Sequence, residues 1–235
     1  MASMNIIPDK NLFIVTSALR PSIGIFDPVA RLQQTLETVQ SIRAKIPDSL
    51  IIITDASVEE VPEEDVAKLS RWCNGFISWS NDEQIQYFSS HGHKSVAESL
   101  LLLKTIVTLK RNPSVSKMLN SVKRIFKISG RYRLNEKFDI SDYADDKLYG
   151  KYIFKKRMPS WCGRESLLVT RLWSMCPSLI DDYIAALPNI INAIRSENID
   201  TEHAHFECLN KEHLVEFDYV YVEGQVASTG EWHYD

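Results

Sequence analysis

Two uninterrupted apolar runs separated by one amphipathic helix constrain this chain more than anything else in it. NLFIVTSAL (11–19) and SLIIITDAS (49–57) are rich in β-branched residues and bounded by polar punctuation, as strands buried on both faces are. Between them, ARLQQTLETVQSIRAKI (30–46) spaces Leu32, Leu36, Val39, Ile42 and Ile46 by three or four residues. It opens at Asp27-Pro28 and stops at Pro47-Asp48, which predicts a helix with one apolar stripe. A β–α–β unit whose strands lack polar alternation fits a parallel sheet covered by helices. The pattern continues with a helix at EEDVAKLSRWC (63–73), a strand at GFISWS (75–80) and a polar loop. KSVAESLLLLKTIVTLK (94–110) is then a strongly apolar helix, VSKMLNSVK a further one, and IFKISG (125–130) a fourth strand. The expected fold class is α/β, a Rossmann-like, mostly parallel central sheet flanked by helices.

Beyond residue 138 regularity weakens. Residues 139–165 read as an irregular aromatic and charged region, and the end as a mixed extension. LIDDYIAALPNIINAIRSEN (179–198) is helical with Pro188 forcing a kink or break, and DTEHAHFECLN (200–210) is a helix capped by Asp200 or Thr201. LVEFDYVYVEG reads as one alternating strand. No linker is visible, so 1–235 is expected to be one domain. No run of eighteen apolar residues predicts a membrane span, and MASMNIIPDK lacks a leader's apolar core. Four cysteines without a C-x-x-C pair suit reduced thiols, pointing to the cytoplasm (a host's, for a viral protein).

Ligands of doubly wound sheets bind at the carboxyl ends of the strands, here Ser17 with Arg20, Asp55, and Ser129-Gly130-Arg131. No G-x-G-x-x-G follows the first strand, no P-loop is present and no G-x-S-x-G elbow occurs, which argues against dinucleotide, methyl-donor, P-loop and α/β-hydrolase chemistry. FKISGRYRL (126–134) instead brings Lys127, Arg131 and Arg133 to a strand end, as an anion site would. Net charge −4 opposes whole-molecule polyanion binding, yet Lys104–Lys137 holds ten lysines and arginines against Glu136 alone. Such a block is either a solvated face or a phosphate-binding one.

The order VTSALR, QTLETVQSIRAKIPDSLIIITDAS, HKSVAESLLLLKTI, FKISGRYRL resembles nucleotide-sugar glycosyltransferases of the GT-A fold. More closely, it is similar to a bacterial and viral subgroup in which a K-S-x-x-E helix start precedes a K-[IL]-S-G-R-Y strand. The resemblance spans about residues 11–134, with DTEHAHFECL and VEGQVASTG matching more loosely. It implies a nucleotide-sugar-binding half (11–134) and an acceptor and catalytic half (135–235). It also implies Ser17 and Arg20 near the base or ribose, Asp55 as their hydrogen-bond acceptor, and Lys94 and Ser95 near the donor with Glu98 one turn on. For Asp55 a turn-forming role fits equally, and for Ser95 and Glu98 a capping one.

Most GT-A enzymes carry Asp-x-Asp at the fourth strand for a Mn²⁺ or Mg²⁺ ion; this chain has Ser129-Gly130-Arg131. Arg131, with Lys127 or Lys94, would meet the leaving diphosphate without a metal, and Gly130 would let the backbone approach. The competing reading pairs Arg131 with an acid between Asp139 and Asp146. Should a divalent cation be used, Asp142, Asp145 and Asp146 are the candidate ligands, though a surface turn explains them as well. The pairs His91/His93 and His203/His205 lack a local third ligand. Glu202 is the candidate base and His203 the second choice; a charge at a helix N-terminus is the other reading of Glu202. Tyr152, Trp161 and Arg164 would form an acceptor lip where sugars stack on aromatic rings, though core packing explains most of the region's aromatics equally well. The expected reaction moves a sugar from a nucleoside-diphosphate sugar to a saccharide, as in polysaccharide assembly. The alternatives are DNA glycosylation at hydroxymethylated bases and a non-catalytic nucleotide- or nucleic-acid-binding module.

Overall fold

The structure, a computed structural model, describes residues 10–119 and 121–235. The leader reading of residues 1–9, and Asn120 within the anticipated VSKMLNSVK helix, lie outside them. β1 (Leu12–Ser17), α1 (Pro28–Lys45) and β2 (Leu50–Asp55) form the expected unit. The Asp27 carboxylate accepts from the Ala30 N–H at 2.8 Å, and Pro28 sits in the first turn, so the helix starts where its cap dictates. After α2 (Glu63–Ser70) and β3 (Gly75–Ser78) comes α3 (Glu83–Ser90), where a loop was expected. It buries only Ile85 and starts at an Asp82 cap, too little apolar periodicity to read. α4 (Lys94–Arg111), α5 (Pro113–Leu119), β4 (Ile125–Ser129) and β5 (Tyr132–Leu134) follow.

The later elements are shorter: β6 (Tyr152–Lys155), β7 (Met158–Pro159), β8 (Ser166–Leu167), β9 (Leu172–Met175), α6 (Ile180–Glu197), α7 (Thr201–Cys208), β10 (Leu214–Phe217), β11 (Val222–Gln225) and β12 (Trp232–Tyr234). Pro188 neither breaks nor ends α6. It lies on the solvent side while Tyr183, Leu187, Ile190 and Ile194 bury the other face, so packing outweighs one lost backbone hydrogen bond. LVEFDYVYVEG is two strands rather than one, because Tyr221 takes a left-handed backbone (φ 56°) between β10 and β11 and turns the chain into another sheet.

Among the described residues seven strands form the main sheet in the order β10-β6-β9-β4-β1-β2-β3. β9 runs antiparallel to β4 and β6, and the other pairs are parallel. β12-β11-β5 form a small antiparallel sheet and β7-β8 a ribbon. Alternation along β1 splits the core. Phe13 and Val15 pack with Val39, Ile42 and Phe126 on the α1 side, whereas Leu12 and Ile14 join Val96, Ile106 and Leu187 on the α4 and α6 side. Phe13 stacks on Phe126 at 4.6 Å. Connections from β1 pass to β2 and β3 on one flank while β4 lies on the other. The carboxyl ends of β1 and β4 therefore open a crevice at a switch in strand order.

His205 belongs to this core. Its Nε2 meets the Tyr183 hydroxyl at 3.0 Å and its Nδ1 the Thr201 carbonyl at 2.7 Å. Burial pushes its pKa down to about 4 despite the opposing pull of that carbonyl. The unfolded chain then takes up the proton first, near pH 6.5, so stability falls as pH drops from there towards 4, by on the order of 3 kcal/mol. Urea unfolding at pH 7 and pH 4.5 should show this loss in the wild type and a flatter dependence in His205→Gln; equal slopes would contradict it.

Candidate functional site

The crevice is walled by the end of β1 (Thr16, Ser17), the first turns of α1 (Arg31) and α4 (Lys94, Glu98), and the turn after β4 (Arg131). Three of these side chains are cations. Arg31 is buried; its Nε donates to the Ala18 carbonyl at 3.2 Å and its Nη1 to Gln34 at 2.7 Å. Burial, then the Arg131 charge, lower its pKa to about 10. Lys94 is lowered as well, by burial first and then by Arg131 and Arg31. Arg131 has a buried Nε without a hydrogen-bond partner and lies over the Tyr132 ring at 5.3 Å. None of the acids from Asp139 to Asp146 forms an ion pair with it among the described residues.

The one acid on this wall, Glu98, is already taken. The Lys127 ammonium meets its Oε1 at 2.5 Å, Thr16 donates to it at 3.3 Å, and Glu98 retains 30% side-chain exposure. Burial alone would raise its carboxyl, but the charge and hydrogen bond of Lys127, with Arg131 behind them, outweigh burial and hold it below the usual range. Arg31, Lys94 and Arg131 thus face one another with no acid in ion-pair contact among the described residues, and only the more distant pull of Asp55 on Arg31 and of Glu98 on Arg131 offsets them. A multiply charged anion is what such a cluster can hold.

Of the candidate donor residues, Ser17, Lys94 and Arg131 line this one crevice, with Ser17 turned toward the Thr35 hydroxyl at 3.1 Å. Several other expectations are corrected. Asp55 is wholly buried, one oxygen accepting from the Leu19 N–H and the other from the Ser57 N–H. Burial, opposed by those bonds, raises its pKa, so it fastens the loops after β1 and β2 rather than facing a ligand. Arg20 leaves the crevice for Asp65, 3.8 Å away. Lys127 is 2% exposed and also donates to Ser129 and the Thr170 carbonyl, so neither Lys127 nor Ser129 reaches the crevice wall. Gly130 serves packing: a Cβ there would come within 3.1 Å of the Thr16 carbonyl and of Thr35. Arg31 was missed, since it reads as one polar residue in the first turn of an amphipathic helix.

In the second half, Tyr152 is 1% exposed and packs in the core, because β6 is an inner strand; it cannot form a lip. Trp161 is 69% exposed, edge-on to His203 at 4.9 Å. Arg164 is bound to Glu197 and Glu207. Glu202 accepts from Thr170 at 2.8 Å. Burial first, then Asp200 and Glu98, raise its pKa. His203 is buried between Asp200 at Nδ1 and Ser160 and Cys162 at Nε2, so its ring is committed away from the crevice.

Asp145 and Asp146 line a hollow with Lys123 and Arg124, at the opposite end of β4 from Arg131, and Asp142 is exposed on the turn before them. They cannot share a metal with the crevice. Among the described residues no group of three His, Cys, Asp or Glu side chains is placed to hold a cation. A crevice with three cations and one paired carboxylate is a poor donor set for Mn²⁺ or Mg²⁺. The basic block is also dispersed. Lys104 pairs with Asp82, Lys110 with Asp181 and Arg133 with Glu223, while Arg124 and Lys127 are buried.

No family model and no curated protein matches the sequence. Among solved structures the chain is similar to core-mannan synthase A from Aspergillus fumigatus in a Mn/GDP form, with TM-score 0.53, 9% identity, and coverage of 94% of this chain and 76% of that one. It is similar to the glycosyltransferase GlyE of Streptococcus pneumoniae, with TM-score 0.52, 9% identity, and coverage of 89% and 45%. It is also similar to galactosyltransferase LgtC in complex with donor and acceptor sugar analogs, with TM-score 0.50, 10% identity, and coverage of 88% and 72%. The likeness is one of fold: a GT-A-like α/β arrangement with a mostly parallel central sheet. Among the described residues no helix is long and apolar enough to cross a membrane.

Proposed function

We propose that this chain is a glycosyltransferase that takes a sugar from a nucleoside-diphosphate donor and passes it to a saccharide acceptor. The observation that carries the reading is the trio Arg31, Lys94 and Arg131, none in an ion pair among the described residues, at the switch between β1 and β4. When the glycosidic bond breaks, negative charge grows on the leaving diphosphate. Guanidinium forks fixed in place stabilise it as it forms. Neighbouring folds support the assignment through what they hold, a manganese ion with GDP in one and donor and acceptor sugar analogs in another. Here the cations stand in for the metal. Glu202, whose raised pKa brings it closer to the working range of a general base, takes the acceptor hydroxyl's proton. Trp161 offers an exposed ring on which a sugar can stack. The two halves, 11–134 and 135–235, divide donor from acceptor on this reading.

The test is a thermal-shift series with UDP-, GDP-, CMP- and dTDP-sugars, each with Mn²⁺, Mg²⁺ or EDTA. A ligand at about 100 times its Kd adds roughly 2.7 kcal/mol, some 5–10 °C in a domain of this size. One nucleotide family should give that shift undiminished in EDTA. A shift that requires the metal would overturn the cation-for-metal part, and no shift with any sugar nucleotide would overturn the donor class.

A further inference from the structure

Residues 160–164 fold into a tight turn beside α7. The Ser160 hydroxyl accepts from the N–H groups of Cys162 at 3.1 Å and Arg164 at 3.2 Å, and Gly163 supplies a left-handed backbone (φ 78°). The turn presses the exposed Cys162 thiol against a buried histidine, with Sγ 3.4 Å from His203 Nε2. The other face of that ring is fixed, because Nδ1 lies 2.6 Å from Asp200 Oδ1. A carboxylate only accepts, so in the neutral ring Nδ1 carries the proton and Nε2 has one lone pair, within reach of both the Ser160 hydroxyl at 2.9 Å and the thiol at 3.4 Å. An acid that orients a histidine that faces a nucleophile is the arrangement that activates thiols. Of the two groups in reach, Ser160 is held by two backbone donors and has the far weaker acid. Cys162 is the one open to solvent.

We propose that Cys162 is a nucleophilic thiol, activated by His203 and Asp200, and the site at which this chain is modified by low-molecular-weight disulfides. His203 Nε2 takes the thiol proton. The thiolate attacks one sulfur of the disulfide, a new S–S bond forms to Cys162, and the old S–S bond breaks. The departing thiolate recovers the proton, so no outside oxidant is consumed. The remaining cysteines are less suited. Cys176 is buried, and burial raises the half-buried Cys73 and Cys208. The charged groups near the pair are Asp200 capping α7, Glu202 in its first turn, Arg164 on the turn, and Glu197 and Glu207, which neutralise that arginine. On the transferase reading, and only on it, a mixed disulfide here would stand beside Trp161 and crowd the acceptor.

The test needs no transfer activity. The intact chain is mixed with excess 5,5′-dithiobis(2-nitrobenzoate) between pH 5 and 9, the rates are followed by absorbance, and the first site labelled is mapped by peptide mass. One thiol per chain, Cys162, should react at pH 6.5 at least about tenfold faster than free cysteine. Cys162→Ser should lose the fast phase, and His203→Gln should return it to an ordinary thiol's profile. Should His203→Gln fail to fold, the wild-type rate decides alone. A wild-type rate at pH 6.5 no faster than free cysteine's, or a fast phase mapping to Cys73 or Cys208, would overturn the proposal, whether or not any sugar nucleotide binds. Glutathione disulfide should give the same single adduct; its failure to do so while the aromatic disulfide reacts would overturn the claim for small biological disulfides.

Discussion

Arg131→Ala is expected to lower kcat/KM for sugar transfer by about 10²–10³-fold, the size of effect seen when one fixed donor to a developing negative charge is removed. Stability without ligand should stay level or rise. The side chain has no ion-pair partner among the described residues, its Nε is buried without a hydrogen bond, and its charge opposes Arg31 and Lys94. Truncation relieves that repulsion and removes only a secondary attraction to Glu98, which Lys127 still pairs. Arg131→Lys should recover only part of the rate, because an ammonium keeps the charge but not the fork. Steady-state kinetics and thermal melts on the three proteins separate the outcomes. A large loss of stability with donor affinity intact would make Arg131 a structural residue and sink the anion site built on it.

Lys127→Met should behave in the opposite way, unfolding the protein more easily by about 3–5 kcal/mol, the usual result of removing one partner of a buried ion pair. The ammonium is 2% exposed and satisfies Glu98, Ser129 and the Thr170 carbonyl together. Its loss leaves Glu98 charged beside the neighbouring Glu202. Glu98 keeps some contact with water, which favours the lower half of that range. The double variant Lys127→Met with Glu98→Gln removes the stranded charge and should regain most of the loss. Urea midpoints of the two single variants and the double one check this; a double variant no more stable than Lys127→Met would show that packing, not charge, is what Lys127 supplies.

The parts of the fold that were legible were those with long, locally encoded elements. β1, α1 and β2 are announced by apolar runs and by Asp27-Pro28, and the Ser129-Gly130-Arg131 turn by cations at a strand end. Lys127 was misjudged for a physical reason. Strand alternation puts Phe126 and Ile128 on one face and Lys127 on the other, but helices cover both faces here, so alternation does not say which side meets solvent. Only the position of Glu98 on α4 reveals that Lys127 has a partner. Arg31 stayed hidden because the loop that swings α1's first turn into the crevice has no pattern of its own. In the second half the strands are two to four residues long, and β9 finds its place between β4 and β6 through pairings distant in sequence. His203 and Cys162, likewise, lie forty-one positions apart.

Gly224 on β11 packs so closely on the turn after β4 that a Cβ would overlap the Arg131 carbonyl oxygen and press on Tyr132. β5 has β11 as its sheet partner. The turn that carries Arg131 is therefore shaped by residues that leave the ribosome about ninety positions after it. At roughly 5–20 residues per second, the nascent chain carries β5 with an unpaired edge for several seconds. Exposed Arg133 at the centre of that strand is the kind of charge that keeps such an edge from recruiting a neighbour. If the proposed donor site is real, sugar-nucleotide affinity would arrive late in synthesis and mark a chain whose closing strands are in place.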